Sequence, residues 1–379
     1  MSAEVADTER AGPKLTKKWF AVWAVIGLLV SLAGSTAAHD NSNPQPGEKI
    51  DRSMTVDPQA IVTLCVASGT LKVRGWDKNE VHVRSLDAAQ IDFKRIDKVK
   101  DPSIPARRVD VMVLDRTSAG NSRLDCQALA SVEMDVPANA TVQVQTRDGD
   151  ITITGVAGAY AGSQNGDIMI DHATKLVEAG SLGGSIYLKD SSGRVNLSSA
   201  GGVVEVMNVR ATDDEDTFEV GTVSGDIQLN RVSNPKVTAK TVNGTVTMTG
   251  PLAKAGLYSF QNMAGDLVLA MPPDASFRLS AKVSEKHGIV SDFALKYLSD
   301  PPPPPAAKPR TPAPEAPKTP EAKGKVMPRT GPVVAPIIVD KPTVISSQHI
   351  LRRVNAIFGT GDATISIASF GGTVRLKKI

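Results

Sequence analysis

The sequence predicts an all-β chain: a single-stranded parallel β-helix, or β-solenoid, with a proline-rich insertion and an N-terminal hydrophobic signal or anchor helix. Three observations predict it. First, a glycine is followed two and four residues later by aliphatic side chains at Gly69, Gly149, Gly166, Gly184, Gly193, Gly202, Gly225, Gly244, Gly265 and Gly372. Second, from Gly149 to Gly265 the main series advances in steps of 17, 18, 18, 23, 19 and 21 residues. Third, polar residues alternate with the aliphatics, as in Asp226-Ile227-Gln228-Leu229-Asn230 and Thr245-Val246-Thr247-Met248-Thr249.

Apolar residues two apart share one face of a strand, and a preceding glycine permits a turn with positive φ, so each copy reads as turn then short strand. A near-constant period of this size marks a solenoid whose coils lay equivalent strands side by side. Gly193 falls half a period after Gly184, so a coil holds two or more strands. The turns Asp148-Gly149, Asn165-Gly166 and Asn243-Gly244 also suit hairpins, which makes an antiparallel meander the competing fold. The meander has no reason to repeat similar sequences at this period, and the coil does.

Taken in order, the chain opens with Lys14, Lys17 and Lys18 ahead of an uncharged run from Trp19 to Ala38 that ends in small residues. A basic head, apolar centre and small residues match a secretory signal cleaved after Ala38. The same run, at about 1.5 Å per residue, also just spans a bilayer as an uncleaved anchor. Either way residues 1–38 place the rest outside the cytoplasm: in the periplasm or at the cell surface, or held at the inner membrane by residues 19–38. Residues 39–57 read as a disordered linker, and residues 58–298 as the solenoid repeats.

Cys65 and Cys126, the two cysteines of the chain, are the candidate disulfide. In an exported protein such a bridge, closing a loop of about 60 residues, contributes roughly 4 kcal/mol in the chain-entropy model. The other reading is two buried thiols on strands that never meet.

Residues 299–344 read as a proline-rich, basic, disordered insertion. Five prolines run from Pro301 to Pro305 and nine more follow by Pro342. Proline lacks a backbone donor and fixes φ, so this stretch cannot join a sheet. Seven basic residues outnumber three acidic ones between Pro301 and Pro342, so the net charge of +3 on all 379 residues originates here. Residues 345–379 resume the strand pattern at Gly361 and Gly372 and are expected to cap the open edge of the stack.

The stretches Ala67-Ser68-Gly69-Thr70-Leu71-Lys72-Val73-Arg74-Gly75-Trp76-Asp77 and Asn79-Glu80-Val81-His82-Val83, together with Val136-Pro137-Ala138 and the Gly-x-Ile strands, resemble a bacterial β-strand-repeat family of unknown function, commonly labelled as candidate adhesins. The resemblance covers about residues 58–298 and 345–379. It implies an exported, β-helical repeat at the cell envelope without known catalytic residues. The adhesin label is itself an analogy from fold. The proline-rich segment departs from the family pattern.

Motifs for chemistry are sparse. His39, His82, His172, His287 and His349 have no metal-ligand spacing, and no Gly-x-Ser-x-Gly elbow occurs, so no catalytic, metal or cofactor-binding residue and no cofactor is assigned. Asp150, Asp167, Asp226, Asp266 and Asp362 follow the glycines; stacked on neighbouring coils they would form an acid/base pair or hold a cation, or act as ordinary turn residues. Asp213-Asp214-Glu215-Asp216 lacks the pattern of a calcium loop and reads as a solvated bulge. Trp76 and Tyr187 are the candidate surface-binding residues, with Trp76 also suited to packing at the first strand turn. Aromatics are 4% of the chain, too few for a base-stacking platform.

The expectation is therefore a non-enzymatic exported envelope protein whose adhesin-like surface serves adhesion, scaffolding or envelope sensing. The alternative is a β-helix carbohydrate-active enzyme, a polysaccharide lyase or hydrolase, using aspartates at the coil turns. Expected partners are an envelope polymer, polysaccharide or envelope protein, and the membrane if the N-terminal segment is retained, with no nucleic acid.

Overall fold

The computed structural model describes residues 49–97, 101, 103–115, 126–284, 286–298 and 351–379. The N-terminal apolar run, the first part of the linker and the proline-rich segment lie outside them; residues 50–57, expected to be disordered linker, instead begin the first strand, where Ile50–Thr55 pair with Glu80–Ser85 and Val56 is buried. Among the described residues there are 26 strands and no helix, and hence no helix long and apolar enough to cross a membrane.

The chain begins with β1 (Ile50–Ser68), β2 (Leu71–Trp76), β3 (Glu80–Ser85), β4 (Ala88–Arg95), β5 (Ala106–Asp115) and β6 (Val132–Pro137). Two-strand coils follow: β7 (Thr141–Asp148) with β8 (Ile151–Thr154), β9 (Gly158–Ser163) with β10 (Ile168–Asp171), β11 (Leu176–Ser181) with β12 (Ile186–Lys189), and β13 (Arg194–Ser199) with β14 (Val204–Val209). They continue as β15 (Thr217–Ser224) with β16 (Ile227–Val232), β17 (Lys236–Asn243) with β18 (Val246–Thr249), and β19 (Leu257–Ala264) with β20 (Leu267–Met271). The last strands are β21 (Phe277–Ser284), β22 (Ile289–Ser291), β23 (Lys296–Tyr297), β24 (Leu351–Phe358), β25 (Ala363–Ser369) and β26 (Val374–Lys378).

Each coil gives one strand to each of two parallel ladders. Sheet one runs β7, β9, β11, β13, β15, β17, β19, and sheet two runs β8, β10, β12, β14, β16, β18, β20. The half-period glycine Gly193 precedes a sheet-one strand, whereas Gly184 and Gly202 precede sheet-two strands. Alternation then decides what is buried. Ile151, Ile168, Ile186, Val204, Ile227, Val246 and Leu267 form one dry column of sheet two, and Val142, Ala159, Val177, Val195, Phe218, Val237 and Tyr258 are the buried column of sheet one. The sheet-one column takes aromatic residues, Phe218 and Tyr258, in its later coils, with Val237 between them.

Antiparallel pairing, the competing expectation, is confined to the ends, in β1 with β3, β3 with β6, β4 with β5, β21 with β24 and β23 with β24. Coil order there departs from chain order. The coil of β1 and β2 lies between β5/β6 and β7/β8. At the other end, β25 and β26 sit between β19/β20 and β21/β22. Of residues 345–379, β25 and β26 thus do not cap the stack, contrary to the sequence-based expectation, whereas β24 does lie in its end pair. Ile365 pairs with Tyr258 on one side and Leu279 on the other, so its buried side chain continues the core column instead of ending it. The outermost strands at this end are β22 and the β24/β23 pair.

Six of the ten repeat glycines have a different reason from the one their turns suggested, whereas Gly69, Gly149, Gly193 and Gly265 take the positive φ expected of them. Gly166, Gly184, Gly202, Gly225, Gly244 and Gly372 are not in the left-handed region. Each instead lies directly over the carbonyl of the preceding corner glycine, where a Cβ would overlap backbone: Gly184 over Gly166, Gly202 over Gly184, Gly225 over Gly202. Close backbone approach along the stack, not φ, excludes a side chain there. A buried hydroxyl lies beside each of the corners at Gly166, Gly184 and Gly202. Ser181 Oγ accepts from Gly184 N at 2.9 Å and donates to Gly166 O at 3.2 Å, and Ser163 and Ser199 repeat the pattern.

Candidate functional site

The aspartates after the corner glycines are the first residues whose chemistry needs a location. Asp150 Oδ1 accepts the backbone N–H of Asp167 at 3.0 Å, and Asp167 Oδ1 accepts that of Ser185 at 2.7 Å. Asp226 does the same for Thr245 at 2.7 Å and Asp266 for Thr373 at 2.9 Å. Where the series is interrupted, Ser185 Oγ accepts from Val203 N instead, at 3.3 Å. One oxygen of each carboxylate therefore caps the turn of the neighbouring coil, on an exposed or half-buried ridge. Asp362 does not belong to the series, because Gly361 leads into β25 of sheet one, at the opposite edge of the coil.

The acidic bulge is more ordered than its charge suggests. Asp216 is buried, and its Oδ2 accepts from Thr212 N and Thr212 Oγ1 at 2.8 Å and from Asp213 N at 2.9 Å. Burial alone would raise its carboxyl, but these bonds win and hold it below the ordinary carboxylate value. Asp213, Asp214 and Glu215 remain exposed.

Two histidines lie near carboxylates that are remote in sequence. His82 Nε2 is 2.5 Å from Asp51 Oδ1, and its Nδ1 is 3.6 Å from Asp135. Asp135 is buried and receives Arg74 Nε at 2.9 Å and Arg84 Nη2 at 3.0 Å, tying β2, β3 and β6 together. His172, which has no ligand spacing in the sequence, meets Asp171 and Asp190. The signal that could have found this is the register of the repeat: Asp171 pairs with Lys189, so residue 172 stacks on residue 190.

Trp76 is half-buried, stacks on His82 at a centroid distance of 5.8 Å, donates from Nε1 to Glu80 O at 2.8 Å, and carries Lys78 Nζ 4.7 Å above its ring. Tyr187 is half-buried on the outer face of sheet two, between Met169 and Glu205. The two aromatics are three coils apart, roughly 14 Å along the stack, and form no joint platform. Cys65 and Cys126 are joined by a disulfide with Cα atoms 4.7 Å apart, linking β1 to the segment that enters β6.

A continuous surface feature appears on sheet one, and each residue of its apolar part stands two places before a corner glycine in the sequence. The outer column Gly162, Gly180, Ser198 and Gly221 makes a flat strip of small residues. Alongside, at the corner leading to sheet two, Leu182, Ala200, Val223, Val242, Met263 and Phe370 follow one another through successive coils. Leu182 is 58% exposed, Val223 51%, Val242 40%, Met263 57% and Phe370 38%. At about 4.8 Å per coil the rail is roughly 24 Å long. Aligned exposed apolar groups of this extent mark a contact surface more often than a solvated one.

In comparisons with known proteins, no curated protein matches the chain. A crystal structure of a candidate adhesin from Parabacteroides distasonis ATCC 8503 aligns over 60% of this chain and 91% of that chain, at 11% identity and a TM-score of 0.38. One from Parabacteroides merdae ATCC 43184, also described as a candidate adhesin, covers 60% and 90% at 10% identity and a TM-score of 0.38. A candidate lipid binding protein from Parabacteroides distasonis ATCC 8503 covers 59% and 90% at 15% identity and a TM-score of 0.35. The family model described as Toastrack DUF4097 matches residues 63–294.

Proposed function

We propose, from the premise that this chain belongs to the Toastrack DUF4097 family, that it is a non-enzymatic exported protein whose solenoid binds a component of the cell envelope. The observation that carries this reading is the apolar rail from Leu182 to Phe370 beside the flat strip of Gly162, Gly180, Ser198 and Gly221. It offers a long, shallow contact surface for an elongated polymer or a protein edge in adhesion, scaffolding or envelope sensing. The aspartates of the enzyme alternative are engaged as caps on neighbouring coils, which favours the binding reading.

In this proposal residues 1–38 carry the chain out of the cytoplasm, by cleavage or as an inner-membrane anchor. The solenoid of residues 58–298 and 345–379 is interrupted by the basic proline-rich segment 299–344. The Cys65–Cys126 bridge supports an oxidising compartment.

The test is binding of the purified full chain to peptidoglycan, lipopolysaccharide and whole cells. Binding to one of these is expected, weakened at least tenfold by Val242→Asp with Met263→Asp while the thermal midpoint stays unchanged. Uniformly negative binding, or binding indifferent to both substitutions, overturns the proposal.

A further inference from the structure

We propose that the outer face of sheet one, at its C-terminal end, is a binding surface for an extended acidic polysaccharide. This face adjoins the apolar rail but uses none of its residues, so the two surfaces stand or fall separately.

Register assembles the surface. Strands β17, β19, β25, β21 and β24 lie side by side in that order, with β23 at the edge. Alternation turns three rows of side chains outward. Lys236, Arg278 and Lys296 stand in one row and Lys240, Lys282 and Arg353 in another, and all six are exposed. Lys236 and Lys240 are four positions apart on one strand, which separates the cationic rows by roughly 13 Å. Between them Thr238, Ser259, Ser366 and Ser280 follow one another in register at about 4.8 Å per strand, a ladder of hydroxyls roughly 14 Å long.

Two observations point to a ligand. The first is segregation of charge. These six strands contain no aspartate or glutamate, whereas β11 and β15, earlier in the same sheet, carry Glu178 and Glu219 on the outer face. Among the described residues none of the six cations forms an ion pair, and the four hydroxyls have no hydrogen-bond partner. The second is that Lys282 stands directly opposite Arg353 in the antiparallel β21/β24 pair, where like charges repel and weaken a sheet. A local rule broken in an otherwise regular sheet marks a functional surface, and a polyanion laid across the pair removes the repulsion.

The arrangement selects the class of ligand. Lysine and arginine pair with carboxylates, and the hydroxyls between them exchange hydrogen bonds with those of a sugar. A planar lipid surface would meet only the tips of the long side chains, whereas a narrow chain lying between the rows reaches the recessed hydroxyls as well. Single-stranded nucleic acid needs aromatic platforms, and no aromatic side chain stands in the three rows.

The experiment is binding of the full chain to labelled oligogalacturonate, which has one carboxylate per sugar, followed by fluorescence anisotropy. Neutral dextran and phosphatidylglycerol vesicles are the comparisons. Because residues 299–344 are also basic, Lys240→Gln with Lys282→Gln and Arg353→Gln is set against Lys308→Gln with Arg310→Gln and Lys318→Gln, which removes the same charge from that segment. Ser366→Leu with Ser280→Leu fills the space between the rows at constant charge. Expected is oligogalacturonate binding that weakens with added salt, falls at least tenfold in the face variant and at least fivefold in the leucine variant, and changes less than twofold in the segment variant, with none to dextran. Circular dichroism identifies any variant that misfolds; Lys236→Gln with Arg278→Gln and Lys296→Gln, or Ser366→Val with Ser280→Val, then carries the test in its place. Absence of oligogalacturonate binding, equal losses in the face and segment variants, indifference to the folded leucine or valine variant, or tighter binding to the vesicles overturns the proposal.

Discussion

The hydroxyl of Ser199 donates a 2.9 Å hydrogen bond to the carbonyl oxygen of Gly184, one coil earlier, while accepting the N–H of Gly202 at 2.9 Å. One side chain thus holds its own corner and fastens it to the corner beneath. Ser199 is buried, so neither glycine group can turn to water if the hydroxyl is removed. Ser199→Ala is expected to cost about 1–3 kcal/mol, the penalty for stranding buried polar groups, measured by urea unfolding. A loss below about 0.5 kcal/mol would show that the corner is held by the backbone ladder alone.

Gly184→Ala tests the stacking explanation of the glycine column. The new Cβ would overlap the carbonyl of Gly166, and backbone cannot swing aside as a flexible side chain can. A destabilisation of about 2–4 kcal/mol is expected. Gly288→Ala is the matched control, because nothing lies within 4 Å of its Cβ position. Equal thermal midpoints for the two variants would remove close approach as the reason for the repeat.

Acid sensitivity should pass in part through Asp216. Its folded carboxyl titrates below the ordinary value because the bonds from Thr212 and Asp213 outweigh burial. A depressed folded pKa contributes stability that is fully present above the unfolded value, about 3.9, and is lost as pH falls through the folded one. Asp216→Asn is therefore expected to be less stable at neutral pH and to lose less further stability between about pH 4 and 2. Parallel stability–pH curves for the two proteins would contradict this account.

Reduction of Cys65–Cys126 should loosen the N-terminal end selectively. The bridge closes a separation of 61 residues, worth about 4 kcal/mol in the chain-entropy model. It ties β1 to the entrance of β6, whereas β9 to β20 have their own ladders. Hydrogen exchange on Cys65→Ser with Cys126→Ser should show lost protection in β2, β5 and β6 with little change in β15 to β18. Uniform loss throughout would mean that the stack unfolds as one unit.

Much of the coil was legible in the sequence. The i, i+2 spacing of Ile168 with Ile170 and of Ile227 with Leu229 determined which face is dry, because alternation is a local property of extended backbone. The recurrence of the corner glycines determined that equivalent strands stack, and Gly193 at the half period revealed two strands per coil. Only the tertiary structure decided which coil neighbours which at the ends. There β25 enters between β19 and β21 because Ile365 and Ile367 fit between the residues on either side, a choice among strands of nearly identical pattern. Tertiary structure likewise decided the roles of the exposed side chains. Asp226 became a cap for Thr245, Leu182 and Met263 joined one rail, and His172 came to rest on Asp190, since register between coils joins residues some eighteen or more positions apart. Local periodicity specifies the strand and its buried face; contacts between coils are non-local, and they alone fix what stands beside what.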